Sequence, residues 1–403
     1  MIDYERIEVK LIPVLMAMEM RGIKVDVSWL QQKQHDASKE LSRLEKLILD
    51  KIKEEMKNDR ALYNIRSPKQ IETILFDVLK YPVIKETDSK KRSTDNEVLL
   101  EIVKKFLLTE NDIVPLLLKF RDLDKVNGTY FVALANQAGL TNTIHANFLQ
   151  HGTRTGRLSS SDPNLQNIPT RHDEWTVRDA FIPREGYKFL IADYSQIELR
   201  MLAHFSRDEH MVKTFVDGGD IHATTMKLTG IKDRRIAKNV NFGIVYGVGP
   251  RTLSAMIEKP EADAKKYIDS FLNGYPQVRS FIHRVQQLTL STGIVEMITG
   301  RKRHFHEYQD RRWYTTIARQ SVNTKIQGSA ADLIKIAMIK LYPLLKANDA
   351  HMLVQIYDEI IIETPIDKIE EAKKIIIDTM ENALKLRVPI IANIVEGERW
   401  IKE

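Results

Sequence analysis

The 403-residue chain contains no cysteine. That excludes disulfides and thiolate metal sites, and it fits a reducing compartment. No apolar run is long enough to span a bilayer. The opening MIDYERIEVK is charged, which excludes a secretory signal, and the expected location is the cytoplasm, nucleoid-associated or in a host cell if the source is viral. No internal repeat or low-complexity tract breaks the chain. The charge excess is also small: 61 basic against 55 acidic residues, net +6. This permits nucleic-acid binding without arguing for it, because what counts is whether the charge gathers on one face.

What is present is a large apolar fraction, 43%, enough for more than one domain or subdomain. Residues 4 to 22 read as a helix ending at RGIK, with Gly22 as an αL cap. From Val27 to Met56 apolar residues (Leu41, Leu44, Leu47, Ile48, Ile52) recur at helical spacing among Lys and Glu, an amphipathic exposed helix. SPKQIETILFDVL starts another, with Ser67 as N-cap, Pro68 at N1 and Gln70 closing a capping box. The Lys90-Lys91-Arg92 run reads as solvated surface. Residues 141 to 193 are short segments punctuated by Gly, Pro, Ser and Asn, ending in the apolar strand FLIAD. Helices return over 195 to 290, with a turn at NGYPQ. After residue 315 come a long helix, an apolar strand, a helix over 366 to 386 and a last strand near IIANIVEG. Helical blocks thus interrupt a small sheet, an α+β arrangement.

Two apolar strands each deliver an aspartate. KFLIADYSQIELR carries Asp193 and, on the helix after it, Glu198; MLVQIYDEIIIE, residues 352 to 363, carries Asp358 and Glu359 in its middle. Acids inside a buried strand cost several kcal/mol unless compensated. A shared divalent cation would compensate them, and two ions about 4 Å apart form a clamp for phosphoryl transfer. The alternative is that each Asp merely caps a turn. In DRRIAKNVNFGIVYG, Arg234, Lys238, Phe242 and Tyr246 stand four apart, while Ile236, Val240, Ile244 and Val245 form a separate core face. Two cations followed by two aromatics would grip a triphosphate and stack on a sugar and base; the alternative is an ordinary amphipathic helix with a basic end. TRTGRLSSSDPNLQNIP, residues 153 to 169, is dense in groups suited to phosphate and base edges, but alone is only a polar loop.

Together these four stretches resemble the polymerase domain of family A DNA polymerases, the bacterial DNA polymerase I group. The resemblance extends to NIRSPKQIETILFD, KKRST, DIHA, GRKR and NTKIQGSAADLIK, in family order over essentially the whole chain. It implies a right-hand α+β fold: an N-terminal palm helix (1 to 22), a helical thumb (23 to 140), palm (141 to 205), helical fingers (206 to 324) and palm again (325 to 403). It implies a template-directed enzyme adding dNTPs to a primer 3′ end with two Mg²⁺ ions, for which Mn²⁺ can substitute. Asp193, Asp358 and the Tyr194 carbonyl would hold the metal, with Glu359 in support. Arg234, Lys238 and His222 would bind the triphosphate through their positive charge, Lys238 also donating a proton. Glu198, bonded to Tyr246, would exclude a ribose 2′-hydroxyl. Phe242 would pack on the sugar, with Gln196 and Tyr194 in the same nucleotide site. Arg157, Asn323 and Gln327 would contact the primer end, and Gln166, Asn167 and Arg319 the duplex beyond.

Two positions depart from the family pattern. Tyr357 stands where His is usual before the Asp-Glu pair, and Lys325 where the bacterial enzymes carry Pro, as a phosphate contact or as surface. About twenty residues precede the thumb segment, so no exonuclease domain and no intrinsic proofreading are expected. The expected partners are primer-template DNA, with RNA an open alternative as template, and dNTPs; the expected state is a monomer. Other readings are an inactive primer-template-binding module, a two-metal nuclease and a phage-type RNA polymerase. The last is disfavoured by Glu198, the nuclease by the Arg234 to Tyr246 stripe.

Overall fold

The computed structural model describes residues 4–56, 63–87, 89–170, 173–306 and 308–400. In chain order the helices are α1 (Val9–Arg21), α2 (Val27–Met56), α3 (Pro68–Thr73), α4 (Asn96–Phe106), α5 (Ile113–Val126), α6 (Ala133–Gln137), α7 (Ile197–Ser206), α8 (Glu209–Val216), α9 (Ile221–Thr229), α10 (Arg234–Tyr246), α11 (Pro250–Ile257), α12 (Glu261–Gly274), α13 (Pro276–Thr292), α14 (Tyr314–Ala347) and α15 (Ile369–Glu381). The strands are β1 (Ile23–Lys24), β2 (Thr143–Ile144), β3 (Asn147–Leu149), β4 (Ser159–Ser161), β5 (Tyr187–Tyr194), β6 (Ile294–Glu296), β7 (Lys302–His304), β8 (His351–Ile356), β9 (Glu359–Pro365) and β10 (Ala392–Gly397). None of these helices is long and apolar enough to cross a membrane. The chain forms two compact units. One holds residues 1–23, 145–167 and 182–403; the other holds 24–144 and 168–181.

The second unit is helical. The apolar stripe of α2 is buried as its spacing predicts, at Leu30, Ala37, Leu41, Leu44, Ile48 and Ile52, and it packs on α5. Two local expectations fail here. Ser67 caps α3 without a side-chain bond, and Gln70 turns its carbonyl to the Asn64 N–H instead of closing a capping box. Arg92 is not solvated surface. It holds Asp77 through two bonds of 2.7 and 2.8 Å, reaches Glu72 at 2.8 Å and lies over the Phe76 ring, while Lys90 and Lys91 stay exposed. Arginine's planar fork makes such bidentate pairing where lysine cannot.

The first unit is built on a four-stranded antiparallel sheet in the order β10-β5-β9-β8. Phe189, Leu190, Ile191 and Ala192 of β5 are all fully buried. Successive strand residues point to opposite faces, so both faces of this strand are covered. Helix α15 packs against β5, β9 and β10, and the Tyr194 hydroxyl donates to the Met380 carbonyl at 2.9 Å. Helix α1 ends at Gly22, whose φ of 62° needs glycine but whose ψ of 179° is extended rather than αL.

MLVQIYDEIIIE is not one strand. It is a hairpin: Ile356 pairs with Glu359, and Tyr357 and Asp358 form the two-residue turn, Tyr357 at φ 52°. Asp358 therefore stands at a turn rather than inside a strand. The buried acids are Glu359 and Glu363. Glu359 accepts from the Trp400 indole at 3.1 Å, and Glu363 takes Arg21 at 2.6 Å and Arg184 at 2.8 Å.

Candidate active site

Strand β5 ends at Asp193 and Tyr194, where its register places Asp193 opposite Glu359. The chain then turns through Gln196 in the left-handed region (φ 51°) and enters α7, with Glu198 in its first turn. The Tyr194 N–H donates to the Asp358 carbonyl at 3.1 Å, which joins the end of β5 to the β8–β9 turn. Helix α10 is started by the Asp233 side chain, which accepts from the Arg235 N–H, and Gly247 stops it in αL. Its Ile236, Val240, Ile244 and Val245 are buried as expected, which leaves the Arg234, Lys238, Phe242 and Tyr246 stripe to face elsewhere.

That stripe faces the two aspartates. One cavity of about 550 Å³ is lined by Asp193, Asp358, Arg234, Lys238, Phe242 and Tyr246, together with Arg157, Tyr194, Gln196, Glu198, His222 and Tyr357. The Phe242 and Tyr246 rings stack, 6.4 Å between centroids and 19° between planes, and His222 lies 6.0 Å from Phe242. Among the described residues no three of His, Asp and Glu gather as a metal cage. The cavity instead holds three carboxylates, of which Glu198 is paired with Arg157 and the other two, Asp193 and Asp358, are the aspartates that stand near the end of β5 and in the β8–β9 turn. Such an all-oxygen pair fits a hard divalent cation that keeps waters and substrate oxygens as its remaining ligands.

The polar groups around the cavity are held in specific states. Arg157 Nη2 lies 2.5 Å from Glu198 Oε1, and its guanidinium stacks over the Tyr357 ring at 4.9 Å. Burial pushes the Glu198 carboxyl above its usual range, against the opposing pull of Arg157 and of its hydrogen bond from Tyr246. Burial and the neighbouring Glu198 charge push the Tyr246 hydroxyl well up, so it is a donor at neutral pH. Arg234 is engaged by Asp220, Nη2 to Oδ2 at 2.9 Å.

Burial works against the positive charge expected of His222. It is buried, and burial holds its imidazole below the ordinary histidine range. Asn241 Nδ2 donates to His222 Nδ1 at 2.7 Å, which in a neutral ring puts the proton on Nε2. In that state it offers a neutral donor rather than a cation.

Not all expected residues reach the cavity. Glu359 does not line it; its carboxylate serves Trp400 and the sheet. Gln166, Asn167, Asn323 and Gln327 lie outside it, Gln166 being tied to the Gln355 carbonyl at 3.0 Å. Arg319 lines a separate, mainly apolar cavity of about 590 Å³ with Gly247 and Tyr314. Lys325 is not free surface. Its ammonium donates to the Glu296 carbonyl at 2.6 Å and lies over the Phe205 ring. Sequence reasoning missed Ala330 and Ala331, which line the cavity floor from α14. Their signal is the small-residue run GSAA, which lets a helix approach closely.

Comparison with known proteins matches this arrangement. The sequence model of DNA polymerase family A covers residues 27–402. DNA polymerase I of Caldicellulosiruptor bescii is 39% identical over 98% of the chain and 47% of its own length. The thermostable DNA polymerase I of Thermus filiformis is 39% identical over 99% and 48%. The chain thus spans about half the length of the curated relatives it matches. Among solved structures, the POL domain of Pol1 from M. smegmatis, in complex with DNA primer-template and dNTP, superposes with a TM-score of 0.88 at 30% identity, over 98% of this chain and 70% of that one. The fold is therefore the α+β polymerase fold, and the chain belongs to DNA polymerase family A.

Proposed function

We propose that the chain is a template-directed DNA polymerase that adds deoxynucleotides to a primer 3′ end. The observation that carries this reading is the cavity in which Asp193, near the end of β5, and Asp358, in the β8–β9 turn, face the cation and aromatic stripe of α10. A nuclease needs the acids but has no use for the stripe. An inactive binding module would have no need of either carboxylate. In this reading residues 206 to 324 act as fingers, the sheet and α14 as palm and residues 23 to 140 as thumb.

Asp193, Asp358 and the Tyr194 carbonyl would hold two Mg²⁺ ions, or Mn²⁺ in their place, which when bound lower the pKa of the primer hydroxyl and offset charge on the leaving pyrophosphate. The chain's own groups do the rest. Arg234 and Lys238 bind the triphosphate, and Arg234 exchanges its Asp220 partner for phosphate as it does so. Lys238 delivers a proton to the leaving group. His222 Nε2–H donates to a phosphate oxygen without adding charge. Phe242 packs on the sugar, and Glu198, buried and tied to Arg157, occupies the room a 2′-hydroxyl would need.

The test is primer extension with Mg²⁺ and dNTPs. The parent chain extends the primer, and Asp193→Ala and Asp358→Ala each abolish extension. A variant that keeps near-normal turnover refutes the assignment. Primer shortening without dNTPs would favour a nuclease instead. A matched RNA template in the same assay reads the template range.

A further inference from the structure

The GRKR stretch, residues 300 to 303, has no role in the site described above, yet its first arginine lies against it. Strands β6 and β7 form a hairpin whose turn is docked on α14. The Ile298 N–H donates to Ser329 Oγ at 2.9 Å, and Arg303 reaches Thr324 at 2.5 Å and Gln320 at 2.7 Å. Arg301 goes further than docking. Its Nε donates to Asp332 Oδ1 at 2.8 Å, and its Nη2 donates to two carbonyls, Gly328 at 3.0 Å and Thr155 at 2.9 Å. Asp332 is fully buried and also accepts from Thr299 at 2.6 Å.

Thr155 belongs to the loop that ends at Arg157, and this loop is moulded on the guanidinium. Gly156 has φ +85°, and a Cβ there would fall 2.4 Å from Arg301 Cζ. Gly328 is equally close-packed, with a Cβ 3.0 Å from the Thr155 carbonyl. The loop closes on itself through Thr153 Oγ1, which donates to the Arg157 carbonyl at 2.8 Å. One guanidinium thus joins the residue pair before Arg157 to the helix turn that carries Gln327.

We propose that Arg301, oriented by buried Asp332, is a positioning residue that clamps the 153–157 loop onto α14 and so sets Arg157 at the primer terminus. This deepens the polymerase reading and rests on it. A lysine at 301 keeps the charge but cannot span the carboxylate and two carbonyls with a planar fork.

The experiment is a double-mutant cycle in single-turnover extension of a matched primer, with Arg301→Lys, Arg157→Ala and the pair. Arg301→Lys slows incorporation by roughly ten-fold, because small misplacements near the chemistry are costly. Its KM for dNTP stays at the parent value, and the double variant is no slower than Arg157→Ala alone. Should Arg301→Lys not fold, Thr299→Val, which removes one bond to Asp332, takes its place in the cycle. Parental speed in the variant, or effects that multiply in the pair, overturns the inference alone. A parent chain that extends no primer overturns the functional reading and this inference with it.

Discussion

The N–H of Tyr194 donates to the carbonyl oxygen of Asp358 at 3.1 Å, so the residue after one cavity aspartate is bonded to the other. The cross-strand pair Asp193–Glu359 and the two-residue turn at Tyr357 and Asp358 complete the constraint. The separation of the two carboxylates is thus set by strand register and turn length, not by side-chain freedom. Hairpins tolerate three-residue loops almost as well as two-residue ones. A glycine inserted between Tyr357 and Asp358 should therefore leave the sheet intact, with a melting temperature within a few degrees of the parent. It should abolish primer extension, because Asp358 no longer meets Asp193 across the cavity. Melting and extension measured on the same preparation check both halves; retained extension would show that the register does not matter.

Tyr357 offers its ring to Arg157. The Arg157 guanidinium lies 4.9 Å from the ring centroid, a contact worth about 0.5–1 kcal/mol at an exposed site, and 49% of Tyr357 is solvent-exposed. Tyr357→Phe should keep matched-primer extension within about two-fold of the parent, since that range of energy is untouched. Tyr357→Leu should lose it by roughly two- to five-fold, the rate equivalent of the lost contact. If Phe and Leu behave alike, the hydroxyl rather than the ring is the working group.

Glu198 combines two tests. Its carboxyl is raised by burial despite Arg157, so ionisation costs the folded chain stability that the ion pair does not recover. Above its folded pKa the group is ionised folded and unfolded, and the full cost is present. As pH falls through its folded pKa toward the ordinary value of about 4.5, the folded chain takes up the proton first and the cost is relieved. Glu198→Gln should therefore melt at or above the parent at pH 8, with the gap narrowing toward pH 5. In parallel, Glu198→Ala should raise ribonucleotide incorporation. An unchanged dNTP-to-rNTP preference would remove Glu198 from sugar selection.

Much of this site was legible because its elements obey local rules. FLIAD reads as a buried strand, and the α10 stripe is separated from its core face by helical spacing alone. The β8–β9 hairpin was not legible. IYDEII carries no Gly, Pro or Asn, its one turn-type residue, Asp358, reads equally as a turn cap or a metal ligand, and it takes tertiary pairing to hold Tyr357 at φ 52°. Arg92 was misread as surface, and Lys325 was not placed, for a related reason. Surface and buried cations look alike in sequence, and only their partners, Asp77 and Glu72 in one case and the Glu296 carbonyl in the other, tell them apart. Glu359 looked catalytic by adjacency to Asp358. A one-residue step along a strand reverses the face, which is why it serves Trp400 instead.

Two histidines should make stability pH-dependent. Burial holds the imidazoles of His222 and His204 below their ordinary value of about 6.5; Arg387, Arg207 and Lys325 push His204 the same way, while beside His222 Asp220 opposes the shift and Arg234 and Lys238 add to it. Above pH 7 both rings are neutral whether folded or not, and they contribute nothing to the slope. Below about 6.5 the unfolded chain takes protons that the folded chain refuses, so stability falls with pH until the folded values are passed. Glu198 and Asp208, both raised by burial, titrate in the opposite sense over an adjoining range. The comparison must therefore be between variants. His204→Gln/His222→Gln, melted against the parent from pH 8 to pH 5, should lose less stability than the parent below pH 6.5 and run parallel to it above pH 7. Parallel curves throughout would mean that neither ring is protonated differently in the folded and unfolded chain.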